Sequence, residues 1–160
     1  MKNFGMDTRQ LEDAVARLGE MLDEHKRMGE LPEVLQDAVS ESLMHRFEYT
    51  TEMAWKTAKR YLTEVEGYDN AVGPKTVMRI CGELGLLDPE KWFLYLEARQ
   101  NISHDYSGSK TKAVLDAVDE FYAEARRFLE VLKGRVGWLA TPEAFRANVM
   151  KRYEVARKAG

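Results

Sequence analysis

The sequence is poor in cysteine, in proline and in long apolar runs. One cysteine, Cys81, stands among 160 residues. A lone thiol closes no internal disulfide and fits a reducing compartment. Without a second thiol or a dense histidine cluster it also argues against structural zinc. No apolar run approaches the ~18 residues that span a bilayer. The first residues, MKNFGMDTRQ, lack the apolar core of a secretory signal. These absences point to a cytoplasmic chain with no membrane segment. There is no strict apolar/polar alternation and no Asn-Gly or Asp-Gly hairpin signal, which removes the usual signs of a sheet. There is no GxGxxG, no phosphate-binding P-loop and no nucleophile elbow. His25 and His45 have no metal-ligand spacing to carboxylates, so no metal and no cofactor is expected.

What is present is enough for one well-packed domain. The chain is 44% hydrophobic and 32% charged, with a formal net charge of −3. Bulk charge of that sign does not announce a nucleic-acid binder. The charge is uneven, however. Residues 141–160 carry Arg146, Lys151, Arg152, Arg157 and Lys158 against Glu143 and Glu154, a local net of +3. On charge alone such a run reads as a solvated helix face.

The apolar pattern is helical almost throughout. Leu11, Val15, Leu18 and Leu22 recur at helical spacing, and Gly29 and Pro32 end that segment. A second helix runs from about Pro32 to Glu66, on a stripe of Phe47, Thr50, Ala54, Ala58, Tyr61 and Val65. At ~1.5 Å per residue it is about 50 Å long, long enough to be the spine of a bundle. Glu52 and Lys56 form an i,i+4 pair on its polar side, and Gly67 follows as a C′ residue. Pro74 suits the first turn of a short helix that Gly85 ends. Asp88 caps the next helix, with Pro89 at its first position. That helix carries Trp92, Phe93, Tyr95 and Leu96. After Ser107-Gly108-Ser109 a long helix follows on Val114, Val118, Phe121, Tyr122, Ala125, Phe128, Leu129 and Leu132. Thr141, Pro142 and Glu143 start a last one. The expected fold is all-α: a four-helix up-and-down bundle with short extra helices over residues 1–136, and a C-terminal helical extension over 137–160.

The stretch RQNISHDY, residues 99–106, is where this pattern breaks. Arg99 falls on the stripe of Trp92, Tyr95 and Leu96, a face that should be covered. A charge there needs a partner. From spacing alone, a carboxylate of the same chain is the favoured partner, and a snorkelling side chain is the other ordinary reading. His104 lies five residues on, about 140° away around a continuous helix. The two side chains cooperate only if the helix frays, or if a two-fold axis brings a second copy. A histidine at this helix end otherwise simply complements the helix dipole. Tyr106 otherwise reads as a loop aromatic packed on the bundle.

RQNISHDY matches the R-X4-H-X-Y motif of HEPN-domain proteins. RFEYTTEMAWKTAKRYL, residues 46–62, resembles the signature of one branch, the nucleotidyltransferase substrate-binding proteins. GPKTVMRICGELGLLD, residues 73–88, resembles the segment that follows it there. The resemblance spans roughly residues 7 to 133, in order. It implies a four-helix bundle, a homodimer, and a minimal nucleotidyltransferase encoded nearby. It further implies a toxin–antitoxin pair whose HEPN member is a metal-independent endoribonuclease. Arg99 and His104 would then be catalytic, and Tyr106 the residue the partner modifies with AMP. Gln100 follows the arginine where many members have Asn or Asp, and Asn101 comes next; both are candidates for a supporting polar role.

The chemistry fits these residue types. RNA can be cut without metal through its own 2′-OH. A histidine moves protons at neutral pH, and an arginine holds phosphate oxygens as their charge grows. A tyrosine can stack a base or touch phosphate. A non-catalytic subunit that presents a nucleotide or substrate to the nucleotidyltransferase is the alternative. A helical dimerisation module without chemistry is the third reading.

Overall fold

A computed structural model describes residues 6–102, 109–138 and 142–159. Among these residues six α-helices follow one another: α1 Arg9–Lys26, α2 Glu33–Glu64, α3 Pro74–Glu83, α4 Pro89–Ile102, α5 Ser109–Trp138 and α6 Pro142–Ala159. A short 3-10 turn, Met28–Glu30, joins α1 to α2. There is no strand among the described residues. The expected all-α class and four-helix bundle are what the chain forms. α1 packs along α2 and against α5, while α4 closes the bundle against α5 and α2. The short α3 lies against α2 and α4.

The core follows the apolar stripes. Leu11, Val15, Leu18 and Leu22 are buried on α1, and Phe47, Thr50, Ala54, Ala58 and Tyr61 on α2. Val114, Val118, Phe121, Ala125, Phe128 and Leu132 bury the inner face of α5, whereas Tyr122 and Leu129 are half-buried at its edge. Phe121 is the hub of an aromatic cluster. Its ring centroid is 4.8 Å from Phe47, 5.1 Å from Tyr95 and 5.7 Å from Trp92, each edge-to-face. Such pairs add about 0.5–1.5 kcal/mol beyond the apolar area they bury. Thr50 and Thr51 are buried yet satisfied, donating to the carbonyls of Arg46 and Phe47 one turn earlier at 2.6 and 2.8 Å.

The helix ends are set by local chemistry. α3 begins with Pro74 at its first position, after Gly73 in extended backbone. It ends where Gly85 turns to φ 73°. The Gly85 N–H then donates to the Gly82 carbonyl at 3.1 Å, and the Leu86 N–H to the Cys81 carbonyl at 2.9 Å, a Schellman ending. The Arg135 guanidinium of α5 reaches across to the Leu84 carbonyl at 2.6 Å. α4 opens with the Asp88 side chain accepting from the Glu90 N–H at 3.1 Å, with Pro89 behind it. The expected Thr141 cap and the break at Ser107-Gly108 lie outside the described residues.

α6 is different from the other five. Every described side chain on it is exposed, and among the described residues it shares no extended packing face with another helix. One tie holds it. Lys151 donates to the buried carboxylate of Glu66, just past α2.

Candidate functional site

The site is built at the C-terminal end of α4. Trp92, Tyr95 and Leu96 anchor that helix in the core, so its register is fixed. α3 and α4 approach closely because Gly82 has no side chain. A Cβ there would stand 2.6 Å from the Pro89 ring. The fixed register carries Arg99 over the same face, one turn beyond Tyr95 and Leu96.

Arg99 finds its partner on α2. Its Nη2 is 2.9 Å from Glu52 Oε2, with the arginine side chain 40% exposed and the glutamate 27%. Glu52 also accepts from the Trp55 indole N–H at 3.0 Å and from Lys56 at 3.0 Å. Partial burial alone would raise the Glu52 pKa. The donors Trp55 and Lys56, with the charge of Arg99, outweigh it and hold the carboxyl below its ordinary range. Glu52 is therefore an ionised anchor at neutral pH, and it holds the guanidinium through Nη2. The carboxylate expected from spacing is found, and the expected Glu52–Lys56 pair is formed at 3.0 Å. Lys56 is exposed, whereas Glu52 turns half-buried towards α4, because α4 packs across α2 at this level.

Arg99 also borders a cleft of about 640 Å³. Trp55 of α2, the Gly73–Thr76 entry to α3, and Leu96, Glu97, Gln100 and Asn101 of α4 complete its walls. Gln100 and Asn101, the expected supporting amides, are exposed residues on the last turn of α4. They do share one surface with Arg99. His104 and Tyr106 lie outside the described residues. Sequence reasoning missed two features here: Glu52 as the anchor of Arg99, and the Gly73–Thr76 wall. The Glu52–Trp55–Lys56 spacing was the available signal for the first. The second needed the packing of α3 on α4.

A family model described as nucleotidyltransferase substrate binding protein like matches residues 6–134. The chain belongs to this family. The resemblance read from its three segments, to the nucleotidyltransferase substrate-binding branch of the HEPN proteins, is therefore borne out. A Haemophilus influenzae protein named "Probable ribonuclease HepT" is 32% identical over 108 residues, covering 65% of this chain and 74% of that one. A solved structure of HI0074, also from Haemophilus influenzae, superposes with a TM-score of 0.71 at 27% identity. It covers 79% of this chain and 99% of its own, and is described as the fold of a substrate binding domain of a nucleotidyltransferase. A second solved structure, from Thermus thermophilus, gives a TM-score of 0.59 at 30% identity, covering 79% of this chain and 98% of that one. The family match stops at residue 134, before α6 begins. Among the described residues no helix is long and apolar enough to cross a membrane.

Proposed function

We propose that this family member is a metal-independent endoribonuclease of the HEPN toxin type, neutralised by a minimal nucleotidyltransferase encoded beside it. The observation that carries the reading is Arg99. It rises from a buried stripe, is paired through Nη2 with Glu52, and keeps 40% of its side chain exposed beside a cleft of mixed polar and apolar lining. The relative named as a probable ribonuclease supports the same reading.

In this reading Arg99 binds the oxygens of a scissile phosphate and stabilises their charge as the reaction proceeds. The 2′-OH of the preceding ribose attacks phosphorus and the P–O5′ bond breaks. The products are a 2′,3′-cyclic phosphate and a free 5′-OH. His104 moves the proton between the attacking and leaving oxygens. Gln100 and Asn101 supply polar contacts beside Arg99. The protein acts as a cytoplasmic homodimer with the Trp92–Tyr106 segment at its two-fold axis, which gathers two arginines and two histidines.

Purified protein incubated with total RNA in EDTA tests this. Cleavage should appear without added metal, and Arg99→Ala and His104→Ala should each abolish it while the helical content stays unchanged. Loss of cleavage in chelator, restored by a divalent ion, would sink the metal-free mechanism.

A second reading has one specific support. The HI0074 structure is described as a nucleotidyltransferase's substrate binding domain. Here the chain would bind a nucleotide or other substrate for its partner and cut nothing. Expression with and without the neighbouring nucleotidyltransferase separates the two: growth arrest relieved by the partner belongs to the toxin alone.

A further inference from the structure

We infer that α6 is a docking arm: its outward face binds the N-terminal end of α2 on a second copy of this chain. The docking rests on the proposed homodimer and adds an interface to it. That interface is made by a helix lying past residue 134, where the family match stops.

α6 has two faces. Lys151 turns to its own bundle, where it meets the Glu66 carboxylate. Val149 and Tyr153 each stand two residues from Lys151, hence about 160° away around the helix. They point away from the bundle, 46% and 64% exposed, with Met150 beside them at 59%. Arg146 and Arg157 flank this stripe and are exposed as well. Bare apolar side chains next to two cations make a surface for a partner that is both apolar and acidic.

The chain itself carries such a surface. Residues 28–44 hold four carboxylates, Glu30, Glu33, Asp37 and Glu41, and no lysine or arginine. All four are exposed, and among the described residues none of them enters an ion pair. Glu33, Asp37 and Glu41 recur every four residues, so they form one row along α2. Val34 and Ala38 form the neighbouring row, with Leu31 and Leu35 near it; Val34 is 78% exposed. An acidic row beside an apolar row on α2 thus answers the basic and apolar rows of α6.

The two surfaces are out of reach of each other within one copy. α2 has 32 residues and is about 48 Å long, and Lys151 is tied to Glu66, just past its C-terminal end. No residue of α6 is more than about 14 Å along the helix from Lys151. Two copies with antiparallel α2 helices bring each α6 to the other's patch, and the two contacts close on a single two-fold axis. That axis crosses α2 near its middle, at the level of Glu52, which holds Arg99.

Two charge-reversed chains, studied by sedimentation velocity, test this. One carries Arg146→Glu and Arg157→Glu, the other Asp37→Lys and Glu41→Lys. All four positions are exposed, so helical content should hold. Each variant alone should self-associate about tenfold or more weakly than wild type, because like charges then face each other. An equal mixture should regain wild-type association, since both contacts of the mixed dimer pair opposite charges. Val34→Ser and Tyr153→Ser change no charge and should also weaken association. Reversed chains that weaken but fail to recover on mixing overturn the docking. If the wild type is a dimer and both reversed chains match it, the homodimer stands and the docking falls. If the α6 reversal weakens only the binding of RNA or of phosphatidylserine vesicles, the face serves a polyanion and the docking falls too. A wild type that stays monomeric overturns docking and homodimer together. Recovery on mixing, in a protein that cuts no RNA, keeps the docking and removes the ribonuclease reading.

Discussion

Glu52 on α2 and Arg99 on α4 meet at 2.9 Å, although 47 residues separate them in the chain. The pair is partly exposed, so it contributes only about 0.2–1 kcal/mol to folding. Its larger effect is on direction. Held through Nη2, the guanidinium is kept beside the cleft that Arg99 helps to line. Glu52→Gln keeps the shape and removes the charge. The substituted chain should melt close to wild type while RNA cleavage falls roughly 10–100-fold, the range expected when a catalytic group shifts by about an ångström. The loss should sit in kcat more than in KM, since phosphate binding alone tolerates a looser arginine. A Glu52→Gln protein that cuts RNA as fast as wild type would leave the pair a purely structural contact.

Two glycines at helix crossings should respond differently to alanine. A Cβ at Gly82 would lie 2.6 Å from the Pro89 ring, and one at Gly19 equally close to the Tyr122 hydroxyl. Overpacking of this kind costs about 1–3 kcal/mol, while leaving a helical glycine for alanine returns up to ~1 kcal/mol. Pro89 is a rigid ring in the backbone and cannot step aside. Tyr122 is half-buried, and its ring can tilt outward. Gly82→Ala should therefore lower stability by about 1–2 kcal/mol in urea titrations, with Gly19→Ala nearly neutral. The reverse order would mean that the α3–α4 crossing is looser than its geometry implies.

The tie of α6 to the bundle should show in pH dependence. The buried Glu66 carboxylate accepts from Lys151, and from the Tyr61 hydroxyl at 2.8 Å. Burial raises the Glu66 pKa, but the two donors prevail and place it below the ordinary value of 4.5. A carboxyl with a lowered folded pKa adds stability above the unfolded value, lost as pH falls through the folded one. Burial and the Glu66 carboxylate push the Tyr61 phenol up to about 12, so it stays a donor throughout this range. Lys151→Met should cost about 1 kcal/mol at pH 7, a figure reduced by the half-exposure of the lysine. The difference from wild type should shrink as pH falls below the ordinary value of 4.5 and through the lower folded one. Deleting residues 141–160 should cost little more than this and leave the bundle folded, because no described α6 side chain is buried. Removing a segment of net +3 should also weaken RNA binding, most at low salt. A truncated chain that unfolds would place α6 in the core.

Much of this architecture was legible in the sequence, and the reasons are local. The stripes Leu11–Leu22 and Phe47–Val65 obey one helical period, and each helix end carries its own signal, such as Pro74, Gly85 or Asp88. Arg99 was legible as an anomaly, since a cation on an apolar stripe contradicts its neighbours. Its partner was not, because Glu52 comes to it only through the packing of α4 across α2, and i,i+4 spacing pointed Glu52 towards Lys56 alone. The Gly73–Thr76 wall was hidden for the same reason. The exposure of α6's described side chains was half-visible: its charge suggested a solvated face, but Glu66 gave no sign of being buried beneath Lys151.

Tyr106 should be the position through which the partner silences this protein. It stands two residues after His104 and just before Ser107-Gly108-Ser109, a sequence context a second enzyme can reach. Transfer of AMP from ATP to the phenol forms a Tyr–O–P phosphodiester and releases pyrophosphate. The adduct brings an anion and an adenosine close in sequence to Arg99 and His104. The phosphodiester would compete with RNA for the guanidinium that Glu52 steadies, and the adenosine would compete for the cleft lined by Trp55 and Asn101. Tyr106→Phe should therefore escape neutralisation when co-expressed with the neighbouring nucleotidyltransferase. Mass spectrometry of the co-expressed wild-type protein should find an added AMP on Tyr106. An unmodified Tyr106 in a protein the partner still silences would mean that neutralisation runs through complex formation instead.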